Sequence, residues 1–235
     1  AAAQLSLCAA LLGLLFLGSA HSLRDELAWP LALGALALLA AAMMARSPTI
    51  AALLLTAGGI VAVMLVPRRE RETSEVASRA LTLVVIGSAL LLAAVWSAEI
   101  QSSDQGDLIL SNTAALALAF SLTILLGQFP FFVWLPPIYD RAGPLAVTML
   151  GVGLSTTALL RFGQIQLWAS PLTQLLLSNI LMPVGIMTCL AGCVGAAVQR
   201  RVGRILAYAA MADLGVVVMG MALRRPGGVE AALLH

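Results

Sequence analysis

Lysine is missing from this sequence: all 13 of its basic residues are arginine. Charge of either sign is scarce, at 10% of residues against 61% hydrophobic ones. That balance lies far from soluble globular usage and makes lipid the solvent in which the chain must be understood. Cysteine and histidine are nearly absent as well. Cys8, Cys189 and Cys193 fall inside apolar segments. The last two stand one helical turn apart, but no third ligand lies near them in sequence, so they read as packing residues rather than a metal centre. His21 falls in a loop and His235 is the last residue, so neither joins them. There is no Gly-rich nucleotide loop and no nucleophile-base pair. The run RRERE at 68–72 alternates in sign, which suits a solvated loop or an interface salt-bridge patch, not a nucleic-acid site.

What the chain does have is hydrophobic length. Apolar stretches able to cross a hydrocarbon core of about 30 Å recur along it, and their repetition excludes a single cleaved signal peptide. Backbone amides in lipid must be satisfied within their own segment, so each run reads as a helix bounded by proline or charge. The expected architecture is an all-α polytopic membrane protein, a single membrane domain over 1–235, with about eight transmembrane helices and the start of a ninth. Helices are expected over 3–20, 30–45, 49–66, 76–98, 112–127, 144–161, 173–198 and 203–223, with VEAALLH at 229–235 opening the ninth. Pro30 suits a first helical turn, ARSP at 45–48 a tight turn, and Pro67 a helix end.

Regularity fails at one place. GQFPFFVWLPPIYDRAGP, residues 127–144, holds four of the ten prolines and five of the twelve aromatics. Pro130 removes an amide donor, and Pro136 with Pro137 limits any short helix that follows, so a break is expected there. Such irregularity at depth is tolerated only against protein or a wet cavity. With this topology Arg24, Arg68, Arg69, Arg71, Arg141, Arg200, Arg201 and Arg204 fall on one side, and Arg46, Arg161, Arg224 and Arg225 on the other. The first side is expected to face the cytoplasm or the mitochondrial matrix. Arg79 and Arg161, near expected helix ends, are expected to snorkel to the interface. Gly58 with Gly59, and Gly151 with Gly153, suit close helix crossings.

FPFFVWLPPIYDRAGP resembles the P-F/L-H-x-W-x-P-D-x-Y/H-x-x-A-P segment of the antiporter-like membrane subunits of respiratory complex I and their Mrp-antiporter relatives. Pro130, Phe131, Trp134, Pro136, Tyr139 and Ala142 fall on that pattern in register. Phe132 replaces its His, Pro137 replaces its Asp, and Pro144 comes one place late. RRVGRILAYAAMADLG, 200–215, is similar to the family's K-R-x-L-A-Y-S-S-I-x-H-x-G, with Arg204, Leu206, Ala207, Tyr208 and Gly215 in register. SEVASRALTLVVIGSALLL, 74–92, resembles the helix before the broken one. Tyr139 favours the chain 2 branch of the NADH:ubiquinone oxidoreductases, called chain N in bacteria. The resemblance extends over about residues 30–235 and implies a bundle of two inverted five-helix repeats with the broken helix at the midplane. On that frame 1–29 is an extra helix and loop, 30–165 the first repeat and 166–235 the beginning of the second. The implied partners are other membrane-arm subunits and lipid. NADH, FMN, iron-sulfur clusters and quinone are then expected in partner subunits, with no cofactor, metal or nucleic acid on this chain. The implied location is an energy-transducing membrane, mitochondrial inner or bacterial plasma.

The family's pattern also carries a Glu two helices before the broken one, a Lys just before the break, and a Lys or His on the next helix. Here 49–66 contains no acid, Leu125 stands where the Lys is expected, and LGVGLSTT at 150–157 offers Ser155 and Thr156. Hydroxyls bridge water but do not titrate near neutral pH. Without any lysine, no shift of register restores the pattern, and the first-repeat proton channel is expected to be lost. Asp213, near the centre of the eighth helix, is the remaining candidate for charge at depth. It is either a relocated proton-relay carboxylate or an Asp that bonds a neighbouring helix or subunit, and the second reading is preferred. The expected function is a subunit 2-like, structural component of a complex I-type membrane arm. The alternative is half of a split, still proton- or cation-translocating subunit completed by a second chain carrying the rest of the repeat. Direct quinone binding finds no His-acid or Tyr-His pair to support it.

Overall fold

The computed structural model describes residues 28–66, 71–101, 112–168 and 170–223. The helices expected at 3–20 and from 229 lie outside them. Among the described residues every regular element is helical, in the order α1 (Ala28–Met44), α2 (Pro48–Met64), α3 (Arg71–Gln101), α4 (Asn112–Leu125), a 3-10 turn (Phe132–Trp134) and α5 (Leu135–Arg141). Next come α6 (Pro144–Val147), a π-helical stretch (Thr148–Leu154) and α7 (Ser155–Trp168), which run on without a break, then α8 (Pro171–Val198) and α9 (Val202–Ala222). Among the described residues four stretches are long and apolar enough to cross a membrane: Thr73–Ile100, Pro144–Gln166, Pro171–Val198 and Val202–Ala222. Trp29–Met44, Pro48–Met64 and Asn112–Leu125 are shorter apolar helices.

Local chemistry sets the helix starts. Ser47 precedes Pro48 and Ser170 precedes Pro171, and each serine hydroxyl accepts the amide three residues on, Ile50 N and Thr173 N, both at 3.4 Å. Proline at the first helical position costs nothing there, because its missing N–H would have had no intrahelical partner. Glu99, near the end of α3, reinforces the start of α2. Its carboxylate accepts from Ser47 Oγ at 3.0 Å, Thr49 N at 3.2 Å and Thr49 Oγ1 at 2.6 Å, and sits at the positive end of the α2 dipole.

α1, α2, α3 and α4 pack as successive neighbours, α8 pairs with α9, and α9 also meets α5 while α4 touches α8. The expected glycine crossing at 58–59 is present: a Cβ on Gly58 would lie 3.0 Å from the Leu39 side chain, and one on Gly59 3.1 Å from Val84. Gly151 admits the Tyr139 hydroxyl. The tighter crossing, between α8 and α9, was not anticipated from the sequence. Gly185 and Gly192 on α8 face Gly215 and the backbone of Tyr208 and Ala212 on α9, so the two chains touch main chain to main chain.

Two expectations need correction. α3 begins at Arg71, so the end of the charged run forms its first turn instead of a loop; Arg79 is exposed there and pairs with Glu75 at 3.7 Å. The helix expected to end at Arg161 continues to Trp168, so Arg161 does not snorkel past a helix end. It is half-buried and donates from Nη2 to the carbonyls of Ala42 and, at 2.8 Å, Ala45, and from Nη1 to Gln164 Oε1 at 2.8 Å. An arginine whose Nη2 is taken up by the open carbonyls at another helix's C-terminus no longer marks a boundary.

Candidate functional site

The break in the helix is built by glycine before proline acts. Gly127 adopts φ +60°, Gln128 N bonds Thr123 O at 2.9 Å, and Gly127 N bonds Ile124 O at 3.1 Å. These paired bonds around a left-handed residue form a Schellman cap, which satisfies the last carbonyls of α4. Pro130, expected to make the break, instead prevents the helix from resuming; it follows a cis peptide from Phe129. Gly followed shortly by Pro is itself a readable helix-stop signal, and it was there in the sequence.

The segment then turns back into the bundle. Phe129 N donates to Thr188 Oγ1 on α8 at 3.1 Å, while Thr188 Oγ1 donates to Val184 O at 2.7 Å. Thr188 is fully buried, and nothing in its sequence surroundings had marked it as the tie between the two halves. Trp134 is 2% exposed and lies across Gly127, where a Cβ would sit 3.4 Å from its ring. Pro136 is buried, Tyr139 packs against Gly151, and Ala142 terminates α5 with its N–H on Ile138 O at 2.8 Å. Phe131 begins the 3-10 turn, and Phe132 stacks near Phe129 and Tyr208 with centroids 6.3 Å away in each case. The six motif residues, Pro130 to Ala142, thus belong to one segment, the break and the short helix that follows it. Beside it a cavity of about 190 Å³ is lined by Phe132, Val133, Pro136, Pro137, Arg204 and Tyr208.

α5 is fixed to α9 by charge. Asp140 Oδ2 accepts from Arg201 Nη1 at 2.9 Å and Arg204 Nε at 3.2 Å, and the Asp140 side chain is only 8% exposed. Gly203 lets the backbones meet: a Cβ there would lie 2.5 Å from Tyr139 O. Arg201 and Arg204 meet at the Asp140 end of α5, while Arg46 and Arg161 line a common cavity elsewhere.

The positions expected to carry charge in this family hold uncharged side chains, although Leu125 lines a small cavity together with Ser121 and Arg161. Leu125 is 2% exposed and packs on Gly87, where a Cβ would lie 3.1 Å from it. Ser155 is buried, and Thr156 spends its hydroxyl on Val152 O at 2.7 Å. Among the described residues the buried polar residues are serines, threonines and glutamines, and the Asp140 carboxylate is covered by Arg201 and Arg204 at the end of the bundle. Ser121 Oγ, the Gln128 amide, Trp134 Nε1, Gln166 Oε1 and Arg161 Nε are buried without a hydrogen-bond partner among the described residues. All but the arginine are neutral groups, which can orient water but cannot carry a charge. Asp213 falls on the outer side of α9, exposed, in a stripe with Leu206, Ala209 and Val216; it is not brought to the break. Cys189 and Cys193 lie on α8, the first half-buried and the second exposed.

A test of the tertiary role of Arg161 follows. Arg161→Ala removes bonds to two carbonyls at the end of α1 and is expected to cost about 2–3 kcal/mol, seen as a lower melting temperature of the detergent-extracted protein. Lysine should recover only part of the loss, since its point charge cannot fork to Ala42, Ala45 and Gln164 together. Full rescue by lysine would assign the effect to charge alone.

Among the described residues the fold is a polytopic helical membrane bundle with a glycine-capped helix break and a second helix tied by ion pairs to the short helix that follows it. The family described as NADH:quinone oxidoreductase/Mrp antiporter, transmembrane, matches residues 99–235, and the chain belongs to it. The chain is 30% identical over 106 residues to NADH-quinone oxidoreductase subunit N of Desulfovibrio desulfuricans, covering 45% of this chain and 21% of that one. Its fold is similar to a chain of the membrane-bound sulfane sulfur reductase, an archaeal respiratory membrane complex, with a TM-score of 0.82, 19% identity and coverage of 96% of this chain and 40% of that one. It is also similar to a chain of the Mrp complex from Dietzia sp. DQ12-45-1b, with a TM-score of 0.69, 19% identity and coverage of 86% and 24%. The chain therefore spans about a fifth of the length of that curated relative and less than half of each solved one.

Proposed function

We propose that this chain is a membrane-arm component of a complex I-type NADH:quinone oxidoreductase, related to subunit 2 or N, which holds neighbouring subunits in place and has lost the proton path of its first repeat. The observation that carries this reading is Leu125, an apolar side chain packed at the foot of the helix break; the charged group that shares its cavity is the guanidinium of Arg161, which does not give up its proton near neutral pH. Intramembrane charge costs about 2.5–3.5 kcal/mol at a helix centre, so a proton path keeps its ionisable groups only under functional demand. Redox cofactors and the quinone site then belong to partner subunits.

Asp213 lies exposed in the middle of α9, in a stripe with Leu206, Ala209 and Val216. We read it as a packing contact to a neighbouring helix or subunit.

Vesicles containing only this chain are expected to hold an imposed pH gradient as long as protein-free vesicles do. In the assembled complex, Leu125→Ala and Asp213→Asn are expected to leave the proton-to-electron ratio unchanged, while isolation from native membranes should recover the chain with other subunits. Gradient collapse by the chain alone, or a ratio lowered by Asp213→Asn, would return Asp213 to a proton-relay role.

A further inference from the structure

The cavity beneath Arg46 and Arg161 adjoins the small one at Leu125, with which it shares Leu55, Leu91 and Arg161, but it opens at a different place. It measures about 240 Å³ and opens where α1 ends and α2 begins. Arg46, Arg161 and Gln164 form its polar part, and Leu55, Leu91 and Val95 its apolar part. Those three are core side chains, 1%, 9% and 4% exposed, so the apolar part reaches into the bundle instead of lying on its surface. Arg46 is exposed at the turn.

The charge here is lopsided. Two guanidinium groups share the cavity, and the positive end of the α2 dipole is beside them. Among the described residues the carboxylate at this end is Glu99, whose oxygens are already taken by Ser47 Oγ, Thr49 N and Thr49 Oγ1. The carbonyls of Ala42 and Ala45 orient Arg161 but bring no full negative charge. Cations at the level of a helix end above an apolar slot match a molecule with an anionic head and a hydrocarbon tail. Inorganic phosphate would gain nothing from the slot, and a zwitterionic or neutral amphiphile would leave the excess positive charge unmatched.

We propose that this cavity binds an anionic membrane phospholipid, with its phosphate against Arg46 and Arg161 and one acyl chain between Leu55, Leu91 and Val95. The bound lipid would connect α1, α2, α3 and α7 at a point where the chain's own side chains leave space.

The full chain, extracted with the subunits that accompany it and stripped of loosely held lipid, is titrated with fluorescent phosphatidylglycerol and with the phosphatidylcholine of the same chains. Phosphatidylglycerol should bind more tightly by about fivefold or more, as expected for one or two added arginine contacts. Arg46→Gln, a change in an exposed turn that should not alter the melting temperature, is expected to remove most of that preference. Leu91→Trp fills the slot without touching charge and should weaken both lipids, with millimolar inorganic phosphate displacing neither. Equal binding of the two lipids, or a preference unchanged in Arg46→Gln, overturns the proposal. Displacement by inorganic phosphate reduces the site to a simple anion site and overturns the lipid assignment. A Leu91→Trp protein that keeps its melting temperature and full phosphatidylglycerol affinity puts the acyl chain elsewhere and overturns it too.

Discussion

Leucine in place of Gly192 is expected to leave little intact protein in the membrane. A Cβ at that position would lie 2.7 Å from Tyr208 O and 2.7 Å from Ala212 N, and neither backbone atom can rotate away. The facing helix has the same constraint, since a Cβ on Gly215 would lie 2.8 Å from Cys189 N and 2.9 Å from Gly185 O. α8 and α9 therefore meet along a seam of bare backbone, where helices in lipid gain from dispersion and Cα–H···O contacts. An isobutyl group forces the axes apart along spans of 28 and 21 residues. Overpacking costs about 1–3 kcal/mol where side chains can yield. Here main chain must yield, and the expected loss is about 4 kcal/mol or more, a large share of a domain's stability. Immunoblots of the membrane fraction and melting of the extracted protein measure it. Gly192→Ala should fall between the two, and Val194→Leu, at a residue 64% exposed on the same helix, should be neutral. A Gly192→Leu protein that melts like the parent would mean that the two helices are not in contact at that residue.

Removing Arg201 and Arg204 together is expected to destabilise the protein more than removing the Asp140 they bind. The asymmetry comes from burial: the Asp140 side chain is 8% exposed, while those of Arg201 and Arg204 are 66% and 34% exposed. Asp140→Ala leaves two arginines that still reach water, at an expected cost of about 2 kcal/mol. The double arginine change strands a buried carboxylate, a situation that typically costs about 3–5 kcal/mol. The triple variant Asp140→Ala, Arg201→Ala, Arg204→Ala should then be more stable than the double one, because the stranded charge is gone. Melting temperatures of the four proteins decide the order. If Asp140→Ala proves the most damaging, the arginines are held for their charge and the buried-carboxylate account fails.

Much of the fold was legible because membrane helices announce themselves. Length, apolarity and the Ser-Pro and Gly-Pro signals fix where helices start and stop, and the disturbed stretch at 127–144 located the break. Attribution within it was harder: Pro130 drew attention, whereas Gly127 makes the cap, since proline disrupts any helix but the left-handed turn depends on two hydrogen bonds that sequence does not display. The arginines divided the loops into two sides without any coordinates. Arg161 misled as a boundary because a charge inside a helix reads as a helix end, unless one knows that the carbonyls of Ala42 and Ala45 are waiting for it.

The sequence by itself determined that the chain lives in lipid, that it is helical, that its regularity breaks within 127–144, and that it offers no lysine for a proton path. These follow from composition and from interactions within a few residues, which every segment carries with it. Only the tertiary structure decided that Thr188 holds the break, that Gly192 and Gly215 form a backbone seam, that Asp140 is buried under two arginines, and that Arg46 and Arg161 share a cavity. Each of those unites residues distant in sequence. In a chain where nearly every helix surface is apolar, hydrophobic pattern cannot say which surfaces will meet, and steric fit between particular helices settles it.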